Sequence, residues 1–227
     1  ARLDELAAAL DRSESTVHRH LSTLRRRGYV VKTGERYRVG LQFLTVGGAA
    51  RRRIPAYTAI KAKVDRLAEQ TDERAQFIVM ENGERVYVYT ETGESAVQTG
   101  AHTGRRGPIQ SSAAGKAILA NLPARQRDRV IDSLDLVRTG PNTITDRDEL
   151  REHLAGVRER GVAFNLQEST AGVHAVGAAV TGRGGEVIGA LSVSGPATRL
   201  KDDRLETELP DVILAATNEL ELQIEHA

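Results

Sequence analysis

The 227 residues leave room for one large domain or two small ones, and the ordinary hydrophobic share supports a buried core. The absence of cysteine excludes disulfides, thiolate zinc sites and a cysteine nucleophile, and the longest apolar runs, such as 187–193, are too short and glycine-broken to cross a bilayer. The net charge of +1 hides an asymmetry: residues 1–53 carry 12 Lys and Arg against 5 Asp and Glu, a net of +7, and the rest carries 20 against 26, a net of −6. A small basic module joined to a larger acidic one is the charge plan of a nucleic-acid reader attached to a part that does not touch nucleic acid. No secretory signal is visible, so the expected location is the cytoplasm.

Residues 2–10 place Leu3, Leu6 and Leu10 on one face of a short helix, and Asp11-Arg12 breaks it. Ser13 opens a second helix as its cap, Val17, Leu21 and Leu24 form its apolar stripe, and Gly28 ends it. Two short helices joined by a tight turn, the second bearing small polar residues and Arg, form a helix-turn-helix. Tyr29 to Lys32 and Tyr37 to Val39 read as a hairpin around Gly34, a wing directly after the recognition helix. Residues 41–53 read as a linker helix weakened by Gly47 and Gly48, each costing about 1 kcal/mol in a helix interior.

Pro55 suits the first turn of a new helix reaching to about Thr71, with Ile60, Val64 and Leu67 on its apolar face. An α+β pattern follows. Ala75 to Met80 and Arg85 to Thr90 are strands around E-N-G-E, and Val97 to Gly100 is a further strand. Gly104 to Gly107 with Pro108 is a loop. Ser111 to Leu122, Ala124 to Leu134 and Asp146 to Arg160 are helices, the last capped by Thr145. Val162 to Asn165 is a short strand; Ala175 to Thr181 and Glu186 to Ser194 form a glycine-turned hairpin stopped by Gly195-Pro196. Arg204 to His226 is helical and suited to lie beside the helix at 55–71.

The chain resembles the IclR family of transcriptional regulators. The resemblance is carried by S-T-V-H-R-H-L-S-T-L-R-R-R-G-Y-V at 15–30, Y-R-V-G at 37–40, G-P-I-Q-S-S-A-A-G-K-A-I-L at 107–119 and A-L-S-V-S-G-P-A-T-R at 190–199. It implies a winged helix-turn-helix DNA-binding domain over 1–40 (with one further helix ahead of residues 2–10), a linker helix over 41–54, and a GAF-like, profilin-like effector-binding domain over 55–227, an antiparallel sheet flanked by helices. It also implies a homodimer or dimer of dimers, a small organic-acid or aromatic-acid effector and a palindromic double-stranded operator.

On DNA, Ser15, Thr16, His18 and Arg19 are expected to approach base edges or nearby phosphates, with Ser13 capping, Arg25 at the basic helix end, and Arg36 and Arg38 of the wing on the backbone. The resemblance places the effector at the amino end of the 111–122 helix, Ser112 with Ala113, Ala114 and Gly115, and physical chemistry supports the placement. A helix N-terminus offers N–H groups and partial positive charge to a carboxylate, and small side chains let a ligand reach the backbone; close packing of helix on sheet also wants Ala and Gly. The resemblance adds Asn165, Ala175, Ser192 and Ser194 as pocket wall, and Ser192 and Ser194 share a strand face. His174 is expected at the pocket or, more readily, the surface, and Glu168 toward a turn or solvent.

No enzyme is expected. Gly115-Lys116 fails as a phosphate loop because Gln110 stands where a glycine is needed and Ala117 where Ser or Thr would meet Mg²⁺. Ser192 to Gly195 lacks the first glycine of a nucleophile elbow, and His18 and His20, two apart on a helix, point apart. Neither a catalytic residue, a metal site nor a cofactor is implied. The competing reading is a ligand-sensing adaptor acting through protein contacts.

Overall fold

The computed structural model describes residues 1–96 and 100–226. They divide into two compact units, Ala1–Ile54 and Pro55–Ala227.

The first unit contains α1 (Leu3–Leu10), α2 (Glu14–Arg26), β1 (Val30–Thr33), β2 (Arg36–Val39) and α3 (Gln42–Arg52). Ala7, Val17, Leu21 and Tyr37 make its core, with Leu3, Leu6 and Val30 against it. The expected stripes need adjusting: Leu10 is 60% exposed and Leu24 40%. The faces that meet run Leu3-Leu6-Ala7 and Val17-Leu21, the i, i+3, i+4 rows, and the outer turns project past so small a core. Ser13 caps α2, its hydroxyl accepting from Thr16 N at 3.4 Å. Gly28, at φ +75°, closes the helix as Gly28 N and Tyr29 N donate to Arg25 O and Leu24 O. β1 and β2 pair antiparallel from Val30↔Val39 to Thr33↔Arg36. Helix α3 runs unbroken through Gly47 and Gly48 with no buried residue, leaving Leu41, Phe43, Leu44 and Val46 exposed.

The second unit is an α+β fold. It comprises α4 (Tyr57–Thr71), β3 (Arg74–Glu81), β4 (Glu84–Thr92), β5 (Arg106–Pro108), α5 (Ala113–Asn121), α6 (Ala124–Ser133), α7 (Arg147–Arg160), β6 (Ala163–Leu166), β7 (Val173–Thr181), β8 (Val187–Pro196) and α8 (Leu209–His226). Its antiparallel sheet has the order β5-β4-β3-β8-β7-β6, so the central pair, β3 with β8, joins strands from opposite ends of the domain. Alternation sends Gln76 and Ile78 to the face covered by α5 and α7, where Ile78 and Ala190 join Ile118, Leu119, Leu150 and Leu154 in the main core. Helices α4 and α8 pack on each other and on the sheet, joined by Lys63 Nζ donating to a Glu219 carboxylate oxygen at 2.5 Å. Glu73, 1% exposed, is gripped by both arms of Arg199 at 2.9 and 2.7 Å.

Local chemistry revises several boundaries. Pro55 lies in the turn before α4, where Ala56 takes a left-handed φ of 52° and starts the helix late. Arg106–Pro108 is a strand, not a loop, since it completes β4's edge. The cap of α7 is Asp146, whose carboxylate accepts from Asp148 N and Glu149 N at 2.9 Å; a carboxylate takes two amides where the hydroxyl of Thr145 would take one. Pro196 is the last residue of β8. The segment 204–226 opens with a π-helical turn, Arg204–Glu208, before α8. The strand expected over Val97 to Gly100 falls on residues 97–99, outside the described residues, and Gly100 is a bend.

Candidate functional site

The basic unit exposes most of the residues expected to meet DNA. Val17 and Leu21 hold α2 against the core, so Ser15, His18 and Arg19 project to solvent and Thr16 is half-buried. The Ser13 hydroxyl is engaged locally, 3.1 Å from Ser15 Oγ and 3.0 Å from Thr16 Oγ1. Arg25 and Arg26 line an open groove of about 690 Å³ between the end of α2 and β1, shared with Lys32. On β2, Arg36 and Arg38 are exposed on either side of buried Tyr37, so Tyr37 anchors the wing while both guanidiniums stay outside.

In the second unit a cavity of about 40 Å³ lies between the sheet and the amino end of α5. Its wall includes Ser112, Ala113, Asn165, Ala175, Ser192 and Ser194 of the expected set. Sheet register explains the convergence: Arg74 pairs with Ser194 and Ser194 with Ala175, while Gln76 pairs with Ser192 and Ser192 with Gly177. These two cross-strand rows share one face. The serine hydroxyls are satisfied by a side chain, Gln76 Nε2 donating to Ser192 Oγ at 3.0 Å and Ser194 Oγ at 3.3 Å. Asn165 Nδ2 donates to Ser169 Oγ at 2.7 Å.

Ala114 and Gly115 do not line the cavity; they pack. A Cβ on Gly177 would stand 2.9 Å from Ala114 N, and one on Gly115 would stand 1.9 Å from Ile109 O. These glycines let α5 seat on β7 and on the turn before it, which brings Ser112 and Ala113 to the cavity. Ser112 caps α5, accepting from Gly115 N at 3.0 Å.

Among the cavity residues that escaped the sequence reading are three arginines, Arg74, Arg85 and Arg105. Arg74 and Arg85 are 4% and 7% exposed. Burial pushes both guanidiniums below their usual range; Tyr87 opposes the shift and the like charge of Arg105 adds to it. Arg85 Nη1 donates to Pro108 O at 2.7 Å and Ser111 Oγ at 2.9 Å, while its Nε is buried with no hydrogen-bond partner. The usable signal was Gln76, a polar residue between Ala75 and Phe77 in an otherwise apolar strand. Extending that strand one residue back puts Arg74 on the same face.

Two neighbours differ from expectation. Glu168 is 5% exposed rather than solvent-facing, because Lys116, fully buried on α5, donates to its carboxylate and burial of that lysine demands a counter-charge. His174 neither lines the cavity nor stands free: it is half-buried on the opposite strand face, with Nδ1 2.7 Å from Leu200 O.

Beside this pair, His153 Nε2 is buried without a partner, and burial, with Lys116 and Arg160 adding like charge, pushes its pKa down to about 4. The unfolded ring titrates near 6.5, so the unfolded chain binds the extra proton as pH falls from about 6.5 to 4. The stability contributed by neutral His153 is therefore complete above 6.5 and is lost across that window. Melting curves between pH 7 and 4 should show the loss, and His153→Gln should flatten the slope there; an unchanged slope would exclude His153 as its source.

Among the described residues, no three His, Cys, Asp or Glu side chains group as a metal site, and no helix is long and apolar enough to cross a membrane.

Comparison with known proteins agrees with this layout. Residues 1–34 match the family described as the IclR helix-turn-helix domain, and residues 49–221 match that described as bacterial transcriptional regulator IclR C-terminal. The chain is 35% identical to the probable HTH-type transcriptional regulator ArcR of Halobacterium salinarum, covering 99% of this chain and 87% of that protein. It is 33% identical to the HTH-type transcriptional regulator BhcR of Paracoccus denitrificans, over 96% and 78%. The crystal structure of the Thermotoga maritima IclR superposes with a TM-score of 0.86 at 25% identity, over 99% of this chain and 91% of that one. An IclR homolog from Microbacterium hydrocarbonoxydans, crystallised with 4-hydroxybenzoate, shares the fold with a TM-score of 0.82 at 21% identity, over 100% and 92%.

Proposed function

The chain belongs to the IclR family and is a transcriptional regulator, not an enzyme, with a helix-turn-helix and a C-terminal effector-binding domain; from that premise we propose that a small organic acid binding the C-terminal cavity alters its grip on the operator of a metabolic operon. The observation that carries this reading is the cavity itself, walled by serines, a helix amino end and arginines. A carboxylate is the complementary ligand for such donors.

On the DNA side, α2 enters the major groove, Ser15, Thr16, His18 and Arg19 approach base edges or phosphates, and Arg25, Arg36 and Arg38 contact the backbone. The regulator acts in the cytoplasm as a homodimer or dimer of dimers on a palindromic site, since a two-fold assembly carries its axis onto DNA. The exposed apolar run Leu41, Phe43, Leu44 and Val46 on α3 supports self-association. The effector acts by binding one arrangement of the two winged helices better than the other, and the Gly47-Gly48 step of α3 supplies the give.

Operator selection from a random duplex pool, followed by titration of the full chain, tests this reading. The selected site should be two-fold symmetric, its affinity should fall steeply with salt, and an organic acid should change it. Arg19→Ala should weaken the specific site by about 1–3 kcal/mol if Arg19 reads a guanine, while random DNA changes far less. Equal affinity and unchanged preference would remove Arg19 from the interface. A chain that binds acids but ignores DNA would instead be an adaptor, and sedimentation showing only monomer at micromolar concentration would end the dimer.

A further inference from the structure

Resting on the effector reading above, we propose that the buried Lys116–Glu168 pair positions the cavity: it holds the 165–170 segment at a fixed distance from α5 and so sets the size of the acid admitted.

Two walls of the cavity belong to different elements. One is the first turn of α5, with Ser112 and Ala113; another includes Asn165, Ser169 and Thr170, where β6 ends and the chain turns toward β7. Lys116 stands four residues after Ser112, so it lies on the same face of the helix, one turn and about 6 Å further along. Glu168 stands between Asn165 and Ser169 in the facing wall. The ion pair between them therefore joins the two walls one helical turn below the cavity.

Glu168 also organises its own wall. Its N–H donates to Asn165 Oδ1 at 2.8 Å, and Asn165 Nδ2 donates to Ser169 Oγ at 2.7 Å. Both partners line the cavity, so a shift of Glu168 carries two lining side chains with it. On the outer side, the hydroxyls of Thr139 and Thr143 donate to Glu168 O at 3.0 and 2.6 Å. That turn grips the backbone of the segment; the ion pair ties the segment to α5.

Stability alone does not account for a charged pair here. Two buried ions lose their hydration, and apolar side chains of similar volume often do as well or better. Among the described residues Glu168 Oε2 is buried without a hydrogen-bond partner, so the carboxylate is only half satisfied. What a buried polar pair adds over an apolar contact is one specified geometry. The enclosed space is about 40 Å³, roughly three water positions, so a small change in wall spacing is a large fraction of it.

Hydrogen exchange and calorimetric titration of the full chain test the pair. Lys116→Met/Glu168→Leu removes both charges and keeps the bulk. In it the amides of Gln167, Glu168 and Gly172, each hydrogen-bonded within the segment, should exchange ten-fold or more faster, while those pairing β7 with β8 stay within two-fold. Formate, acetate, propionate, butyrate and valerate are the probes for size. Wild-type affinity should fall at least ten-fold at one step of this series, and in the double variant that step should shrink below three-fold. Glu168→Gln, which keeps the size and an acceptor oxygen but not the charge, serves if the double variant does not fold; the same amides should then exchange at least three-fold faster. A wild-type series without such a step, a step left in place in the variant, or unchanged exchange would overturn the positioning role and leave the organic-acid reading standing. If no acid binds the wild-type chain, the effector reading falls, and the exchange result still confirms or refutes the pair as the tie between segment and helix.

Discussion

Glu168→Ala is expected to cost the C-terminal domain about 3–5 kcal/mol, the range for stranding one member of a buried ion pair. Lys116 has no exposed surface and reaches Glu168 across 52 positions of sequence. Burial already pushes its ammonium below the usual range, with Glu168 holding it up. Without Glu168, the lysine must lose its proton or open the core between α5 and α7. Native domains keep only about 5–15 kcal/mol in total, so the loss is a large fraction, and the melting point should fall by about 6–20 °C. The double variant Lys116→Met/Glu168→Leu should recover most of it, because replacing both partners leaves no charge to strand. Calorimetry of the full chain separates the cases. A double variant as unstable as the single one would show that the loss is one of shape, not of charge.

Gly115→Ala should be comparably damaging for a different reason. The new Cβ would stand 1.9 Å from the carbonyl oxygen of Ile109, and that neighbour is backbone, not the end of a flexible side chain. Relief requires lifting the first turn of α5, which carries Ser112 and Ala113 away from the cavity. A loss of about 3 kcal/mol, the upper range for overpacking, should accompany loss of ligand binding. Gly156→Ala is the control. In α7 its Cβ would meet only the Nη1 of Arg160 at 3.3 Å, so it should gain roughly 0.5–1 kcal/mol from helix propensity. Equal stability of the two variants would refute the steric account.

Much of the architecture was legible because periodicity and punctuation agree. Ser13 and Gly28 bracket α2, and Asn82-Gly83 joins β3 to β4 with two left-handed residues, as a two-residue hairpin turn requires. The exposed face of α2 was legible for the same reason: once Val17 and Leu21 are fixed inside, helical geometry leaves His18 and Arg19 outside. The cavity at the amino end of α5 was half legible. The family resemblance supplied the helix amino end, Ser192 and Ser194; local reasoning supported the first through its free N–H groups, and strand alternation put the two serines on one face. Arg74 was within reach through Gln76, but Arg85 and Arg105 were not legible, since only the pairing of β4 with β3 and the bond from Tyr87 N to Arg105 O bring them alongside. Glu168 was misread because its partner Lys116 sits on a helix whose burial no local pattern reveals; a lysine among Ala, Gly, Ile and Leu looks solvent-facing until α7 covers it. Gly115 and Ala114 show the reverse case, small residues whose motif drew attention to ligand contact when their task is to let a helix approach.

The pairing of Phe77 with Leu191 at the heart of the sheet also sets an order of events during translation. The basic unit closes on its own core within residues 1–54, and N-terminal domains fold first as the chain is made. The cavity has no rear wall until β8 emerges, more than a hundred residues later. At 5–20 residues per second, that leaves on the order of 10 s in which a nascent chain carries a finished reader and no sensor. A premature stop anywhere between residues 55 and 186 would make the condition permanent, yielding a fragment that competes for operator sites yet is deaf to effector.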